Sequence, residues 1–269
     1  MKNWLDGKFV LLSGASSGIG KEVCKLLVTK YNAKVLGIGR SEEKMQRLTE
    51  ELGEYSNNFC YRLFDVSRQA GWELLAQELK EKNMTPDLLI NNAGTFPAFA
   101  RCLEIPAQTV ERVMAVNYLS SVYASGAILP LNADMGMVNV CSSSALCSVV
   151  GTAPYSASKK AMQGFTEALQ MEEKGRYIGI LYPGTTATEL FREDENTKNS
   201  ALDIVAMPAE KMARKIVKAI LRRKKRCVLG WDAKAMAITA KIAPVTGLVL
   251  IAWVMKISGS KVFQNVFRR

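Results

Sequence analysis

Seven apolar runs of strand length recur along this chain, separated for most of its length by helical stretches of about ten to twenty residues. They are Phe9–Ser13, Lys34–Gly39, Phe59–Phe64, Asp87–Asn91, Gly136–Cys141, Tyr177–Tyr182 and Arg226–Gly230. The first two intervening helices are expected over Ile19–Tyr31 and Glu42–Leu52. Strands joined by crossovers of that length form right-handed βαβ units, so the expectation is an α/β fold built on a parallel sheet. No internal repeat and no linker rich in Pro, Gly or Ser interrupts the pattern. The polar stretch Arg192–Ser200 is expected to be a mobile loop.

At 269 residues the chain suits one α/β domain better than two, and its 48% hydrophobic composition is that of a folded protein. It contains no histidine, which removes Ser-His-Asp triads, Cys-His nucleophiles and His-ligated metals together. No metal site is expected. Cys24, Cys60, Cys102, Cys141, Cys147 and Cys227 show no CxxC pair and read as reduced, mostly buried thiols. The start of the chain runs into a strand with no apolar segment suited to secretion, so the expected location is cytoplasmic.

In that histidine-free background Tyr155 and Lys159 stand out. Four residues apart on a helix they share a face, and an adjacent ammonium should pull the phenol below its usual pKa. Tyr155 is then a candidate proton donor and acceptor. Near the start of the chain, Gly14-Ala-Ser-Ser-Gly18-Ile-Gly20 lies between the first strand and first helix. Glycines at such a turn let the backbone approach a pyrophosphate, which rests on the helix N-terminus. The second strand ends in Gly39-Arg40-Ser41 with no carboxylate. A guanidinium there can pair with an adenosine 2′-phosphate, which favours NADP(H) over NAD(H); a solvated arginine is the plainer alternative.

With these pieces the chain resembles the short-chain dehydrogenase/reductase family from about residue 5 to 230. Gly14-x3-Gly18-x-Gly20, Asp65, Asn91-Asn-Ala-Gly94, Asn117, a serine after the fifth strand, Tyr155-x3-Lys159 and Pro183-Gly184 with Thr188 follow the family's order. The resemblance implies a Rossmann-type doubly wound sheet and hydride transfer between nicotinamide and a carbonyl or alcohol carbon. It implies that Tyr155 is the acid and base and that Lys159 holds the nicotinamide ribose. Asn117 would position a relay water, and Ser142 would donate to the substrate oxygen. Ser142 is chosen over Ser143 and Ser144 by its distance from Tyr155, although a slip of one position stays open. Cys141 stands where many relatives have serine. Cofactor contacts are implied for Gly14, Ser16, Ser17, Gly18, Ile19 and Gly20, then for Arg40, Asp65 and Val66. The remainder fall on Asn91, Ala93 and Gly94, on Tyr155 and Lys159, and on Pro183, Gly184, Thr186 and Thr188. Phe96, Pro97 and Phe99 either line a substrate pocket or pack, and the apolar helix Ser120–Leu129 is a candidate subunit face for a homodimer or homotetramer.

The charge is lopsided. Of 36 basic residues 11 fall in Arg222–Arg269, with Asp232 the one acid there, although the whole chain is only +11. The expected organisation is a catalytic domain over 1–230 and an apolar, basic extension over 231–269. Pro244–Met255 carries no charge and as a helix spans about 18 Å, short of a bilayer core of about 30 Å. Peripheral contact with a membrane's cytoplasmic face through 222–269 is the favoured reading, with packing on protein as the alternative and no nucleic acid expected. The functional expectation is an NADP(H)-dependent enzyme that interconverts a ketone or aldehyde and an alcohol on a small lipophilic substrate. A non-catalytic, membrane-associated NADP(H)-binding protein is the alternative.

Overall fold

The computed structural model describes residues 3–191 and 206–268. The Arg192–Ser200 stretch lies outside the described residues. The strands are β1 (Phe9–Ser13), β2 (Lys34–Gly39), β3 (Phe59–Leu63), β4 (Leu88–Asn91), β5 (Gly136–Val140), β6 (Ile178–Pro183), β7 (Thr186–Ala187), β8 (Met207–Pro208) and β9 (Arg226–Leu229). The helices are α1 (Gly18–Tyr31), α2 (Glu42–Leu52), α3 (Gln69–Glu81), α4 (Ala107–Met114), α5 (Ser120–Ile128), α6 (Ala153–Glu172), α7 (Ala209–Leu221), α8 (Trp231–Ile242) and α9 (Thr246–Ile257).

Seven strands form one sheet in the order β3-β2-β1-β4-β5-β6-β9, every neighbouring pair parallel. Side chains alternate across it and bury both faces. Val10 and Leu12 pack with Leu27, Ile216 and Ile220 on one side. Leu11 and Leu36 pack with Trp72, Leu75 and Ile128 on the other. Helices α1 and α7 therefore cover one face, and α3 and α5 the other, which is a Rossmann-type doubly wound fold. The short parallel pair of β7 and β8 has no apolar period and leaves no trace in the sequence pattern.

Local chemistry fixes the elements that reach the site. Helix α2 starts at Ser41, whose Oγ accepts from Lys44 N at 3.3 Å, with Glu42 and Glu43 in its first turn. Helix α1 ends at Asn32 in the left-handed conformation. Between α4 and α5 the chain makes a π-helical turn over Ala115–Leu119, a rare conformation that often marks function.

The order of strands reverses between β1 and β4, and hydrogen bonds tie the two strand ends together beneath the crevice that opens there. Ser13 Oγ accepts from the backbone of Asn92 and Ala93, while Asn92 Nδ2 donates to the carbonyls of Ser13 and Gly14. Doubly wound folds bind ligands at this reversal.

The extension beyond β9 is helical. Among the described residues no helix is long and apolar enough to cross a membrane. Helix α8 packs against β9 and the turn Ser143–Ala145. Helix α9 buries only Gly247 and exposes Val249, Leu250, Trp253, Val254 and Ile257. The basic run Arg222–Arg226 sits at the amino end of β9, away from the end where α8 begins. Two of its members serve the body: Arg223 lies over the Trp4 ring, and Arg226 lies over Tyr182 and pairs with Glu167 at 2.5 Å. Of the six thiols only Cys24, Cys141 and Cys147 are buried, fewer than expected.

Candidate active site

A cleft of about 630 Å³ opens at the carboxyl ends of the central strands. Its floor is the glycine turn. A side chain on Gly20 would collide with the carbonyl oxygen of Gly14, and a Cβ on Gly14, at φ +67, would meet Ala93 Cα at 2.9 Å. Only glycine allows the chain to fold back this tightly. Gly14, Ser16, Ser17, Gly18 and Ile19 face the cleft, and Gly20 supports it from behind. The cradle and the N-terminus of α1 fit a dinucleotide pyrophosphate.

On one flank, Arg40 and Asp65 lie 4.0 Å apart and both line the cleft with Val66. Burial works to raise the Asp65 pKa, but hydrogen bonds from Ser67 N and Oγ, with Arg40 and Arg68 nearby, bring it below the usual value. Lys44 also faces the cleft and pairs with Glu189 at 2.6 Å, joining α2 to the segment after β7. Nothing in the sequence pattern singled out that pair, whose partners lie far apart in the chain.

On the other flank stand the chemical groups. The Ser142 hydroxyl accepts from Ser144 N at 3.1 Å, and Ser142 lines the cleft together with Tyr155. Ser143 opens a 3-10 turn with Ser142 as its N-cap, and Ser142, Ser143 and Ser144 all line the cleft. Lys159 Nζ donates to the Val140 carbonyl at 3.3 Å and stands 5.9 Å from the centre of the Tyr155 ring. A Cβ at Gly94 would stand 3.4 Å from Asn117 Oδ1 and 3.7 Å from Lys159 Nζ, so these three residues surround one point. Ala93, Pro183, Gly184, Thr186 and Thr188 complete the lining.

Two expectations need correction. Tyr155 is not acidified; burial pushes its pKa up to about 12, and the hydrogen bond from Ser142 offsets only part of that. The ammonium expected to lower it is itself buried, and burial lowers the Lys159 pKa. Asn91 does not reach the cleft: it is buried in β4 and donates to Asn139 Oδ1 at 2.8 Å, while the next residue, Asn92, lines the cavity. Asn117, on the π-turn, lies behind the lining, and its amide donates to Thr95 O and Ser158 Oγ while Oδ1 accepts from Thr95 N. Both amide protons are used, so a relay water held by this side chain has to donate to Oδ1. Burial raises the Cys147 pKa, which disfavours the thiolate there.

Phe96 meets Tyr155 edge-on at 5.2 Å, so the aromatic segment after Gly94 borders the phenol. One contributor escaped sequence reading altogether. Asp232, the single acid of the basic extension, is buried and accepts from Thr185 N at 2.5 Å. It reads as an ordinary helix-start acid in the sequence, and only the tertiary path brings it beneath the cleft.

A doubly wound sheet with a glycine cradle at its reversal and a Tyr–Lys–Ser flank defines a dinucleotide-dependent oxidoreductase. The comparisons agree. The model of the short chain dehydrogenase family matches residues 8–199, and the chain belongs to that family. A 3-ketodihydrosphingosine reductase of Bos taurus is 30% identical over 91% of this chain and 78% of its own. An NADPH-dependent pterin aldehyde reductase of Arabidopsis thaliana is 32% identical over 67% of this chain and 76% of its own. Among solved structures, a short-chain dehydrogenase from Streptomyces avermitilis aligns with a TM-score of 0.77 at 22% identity, covering 93% of this chain and 98% of that one. An actinorhodin polyketide ketoreductase with NADPH aligns at 0.73 and 24%, covering 83% and 95%. At those identities the two structures speak for the fold.

Proposed function

We propose that the chain is an NADP(H)-dependent carbonyl reductase acting on a lipophilic ketone or aldehyde, in the manner that the name of the 3-ketodihydrosphingosine reductases describes. The observation that carries this reading is the convergence of Ser142, Tyr155 and Lys159 on the wall of the cleft whose floor is the glycine turn. When bound, the nicotinamide group supplies a hydride to the carbonyl carbon. Tyr155 donates its proton to the carbonyl oxygen, and Ser142, which accepts from Ser144 N through one of its two lone pairs, points its own proton at the same oxygen. Lys159 holds the nicotinamide ribose hydroxyls and stabilises the phenolate left behind. Arg40, and Lys44 if it leaves Glu189, meet an adenosine 2′-phosphate, with Asp65 and Val66 at the adenine. The NADPH-dependent relative supports that choice.

Lipophilicity is supported by the aromatic border of Tyr155 and by α9. Its exposed apolar face, with Lys234, Lys241 and Lys256 nearby in the chain, suits an anionic lipid surface at the cytoplasmic side of a membrane. The domain division at residue 230 separates sheet from extension, and α5 remains a candidate subunit face. The test is a panel of long-chain ketones, steroid ketones and retinals assayed for consumption of NADPH and of NADH. Reduction of a lipophilic ketone with NADPH preferred supports the reading; no carbonyl turned over with either cofactor contradicts it.

A further inference from the structure

Residues 231–267 leave the sheet at the carboxyl end of β9 and pack back twice, once on a segment that lines the cleft and once on the aromatic residues behind Tyr155. At the first return the Asp232 carboxylate accepts from Thr185 N, and both Gly184 and Gly230 lack the Cβ that would crowd it. This bond fixes the backbone between Gly184 and Thr186, which lines the cleft. At the second return Phe263, 5% exposed, packs edge-on against Phe99 at 5.0 Å. Phe99 lies 4.9 Å from Phe96, and Phe96 touches Tyr155. Val266 fills the space above Gly151, where a Cβ would come within 2.6 Å of its Cγ2. Between the two returns lies the exposed apolar helix α9.

We propose that this extension is a working part of the cleft. Asp232 is a positioning residue for the cofactor-side backbone, and Phe263 fixes the apolar wall beside Tyr155 and thereby selects carbonyl substrates with a long apolar chain over small polar ones. The second half rests on the carbonyl-reductase reading; the first does not. Phe263 reaches the phenol only through Phe99 and Phe96, so its effect is on which substrate fits, not on proton transfer itself.

The Asp232 half is read by NADPH binding, followed by protein fluorescence well below the melting temperature of every variant. Asp232→Ala should weaken binding about tenfold or more. Asp232→Asn, whose amide oxygen can still accept from Thr185 N, should recover most of it. Equal affinity in wild type and Asp232→Ala, or equal loss in both variants, overturns the positioning role. The Phe263 half is read by the ratio of kcat/KM for a long-chain methyl ketone to that for butanone. Phe263→Ala should lower this ratio about fivefold or more, with Phe263→Leu intermediate and available if the alanine variant does not fold. An unchanged ratio overturns the selective role. Wild-type protein that reduces neither ketone overturns the carbonyl-reductase reading and the Phe263 half with it, while NADPH binding still decides Asp232.

Discussion

In the proposed reaction single residues set cofactor choice and proton transfer, and two of them lead to measurable differences. Arg40 sits 4.0 Å from Asp65 at the rim, where a 2′-phosphate would offer it a better partner than a carboxylate already engaged by Ser67. Arg40→Ala should raise the NADPH Kd about tenfold or more and leave NADH within about twofold. Isothermal titration with both cofactors checks it, and equal losses would remove Arg40 from cofactor selection. Tyr155 gives the second prediction. With its pKa pushed up to about 12 the phenol stays protonated through neutral pH. Ketone reduction should therefore be flat between about pH 6 and 8, because the acid form is already saturated. Alcohol oxidation needs the phenolate, whose population rises about tenfold per pH unit below the pKa, and should climb across the same window. An oxidation rate that is flat there would mean the phenol titrates far lower. The sequence shows that Tyr155 and Lys159 share a helical face; it does not show that both are buried, and burial decides the sign of the shift.

At the scale of elements, the strands were legible because a doubly covered parallel sheet leaves long apolar runs. The expected spans differ from the observed ones mostly by a residue at an end, as with Phe64 after β3 or Asp87 before β4. The site's parts were legible where a motif is local, as in the glycine turn. They were hidden where contact depends on tertiary path: Lys44 on Glu189, Asp232 on Thr185, and Asn92 rather than Asn91 at the crevice. Asn91 is the last residue of β4 and stays in the core, whereas Asn92 is the first residue beyond the strand's carboxyl end, where the cleft opens. One inter-element tie carries a stability prediction. Arg62 on β3 makes a bidentate hydrogen-bonded pair with Glu78 on α3, Nε to Oε2 at 2.9 Å, and Lys82 joins it at 2.7 Å. The bonds from Arg62 and Lys82 lower the Glu78 pKa to about 2, below the unfolded value of about 4.3. A depressed carboxyl stabilises the fold above its unfolded pKa and loses that contribution as pH falls through about 2. Glu78→Gln should thus cost up to about 1 kcal/mol at neutral pH, limited by water access to the pair, and cost little near pH 2. Melting temperatures of both proteins across that range check it; a gap that widens in acid would contradict the assignment.

For the whole molecule the question is how a body with its cleft at one end of a sheet would meet the lipophilic substrate proposed for it. Helix α9 has five large apolar side chains at least half exposed, Val249, Leu250, Trp253, Val254 and Ile257. Folded protein should float with phosphatidylserine vesicles, and Leu250→Ser with Trp253→Ser should lower the bound fraction severalfold without altering NADPH binding. Deleting everything after Gly230 is the poorer test, because it also removes Asp232 from beneath the cleft. Equal flotation of wild type and the double variant would make α9 a surface for another protein copy instead. The claim on which the rest depends is that the Tyr155 flank and the glycine cradle form one reaction centre. The most direct measurement is single-turnover oxidation of bound NADPH by a long-chain ketone, in wild type and in Tyr155→Phe. The account predicts unchanged NADPH binding and a rate lower by about 10²-fold or more, with alcohol formed mole for mole in the wild type. A Tyr155→Phe protein that turns over at the wild-type rate would contradict it.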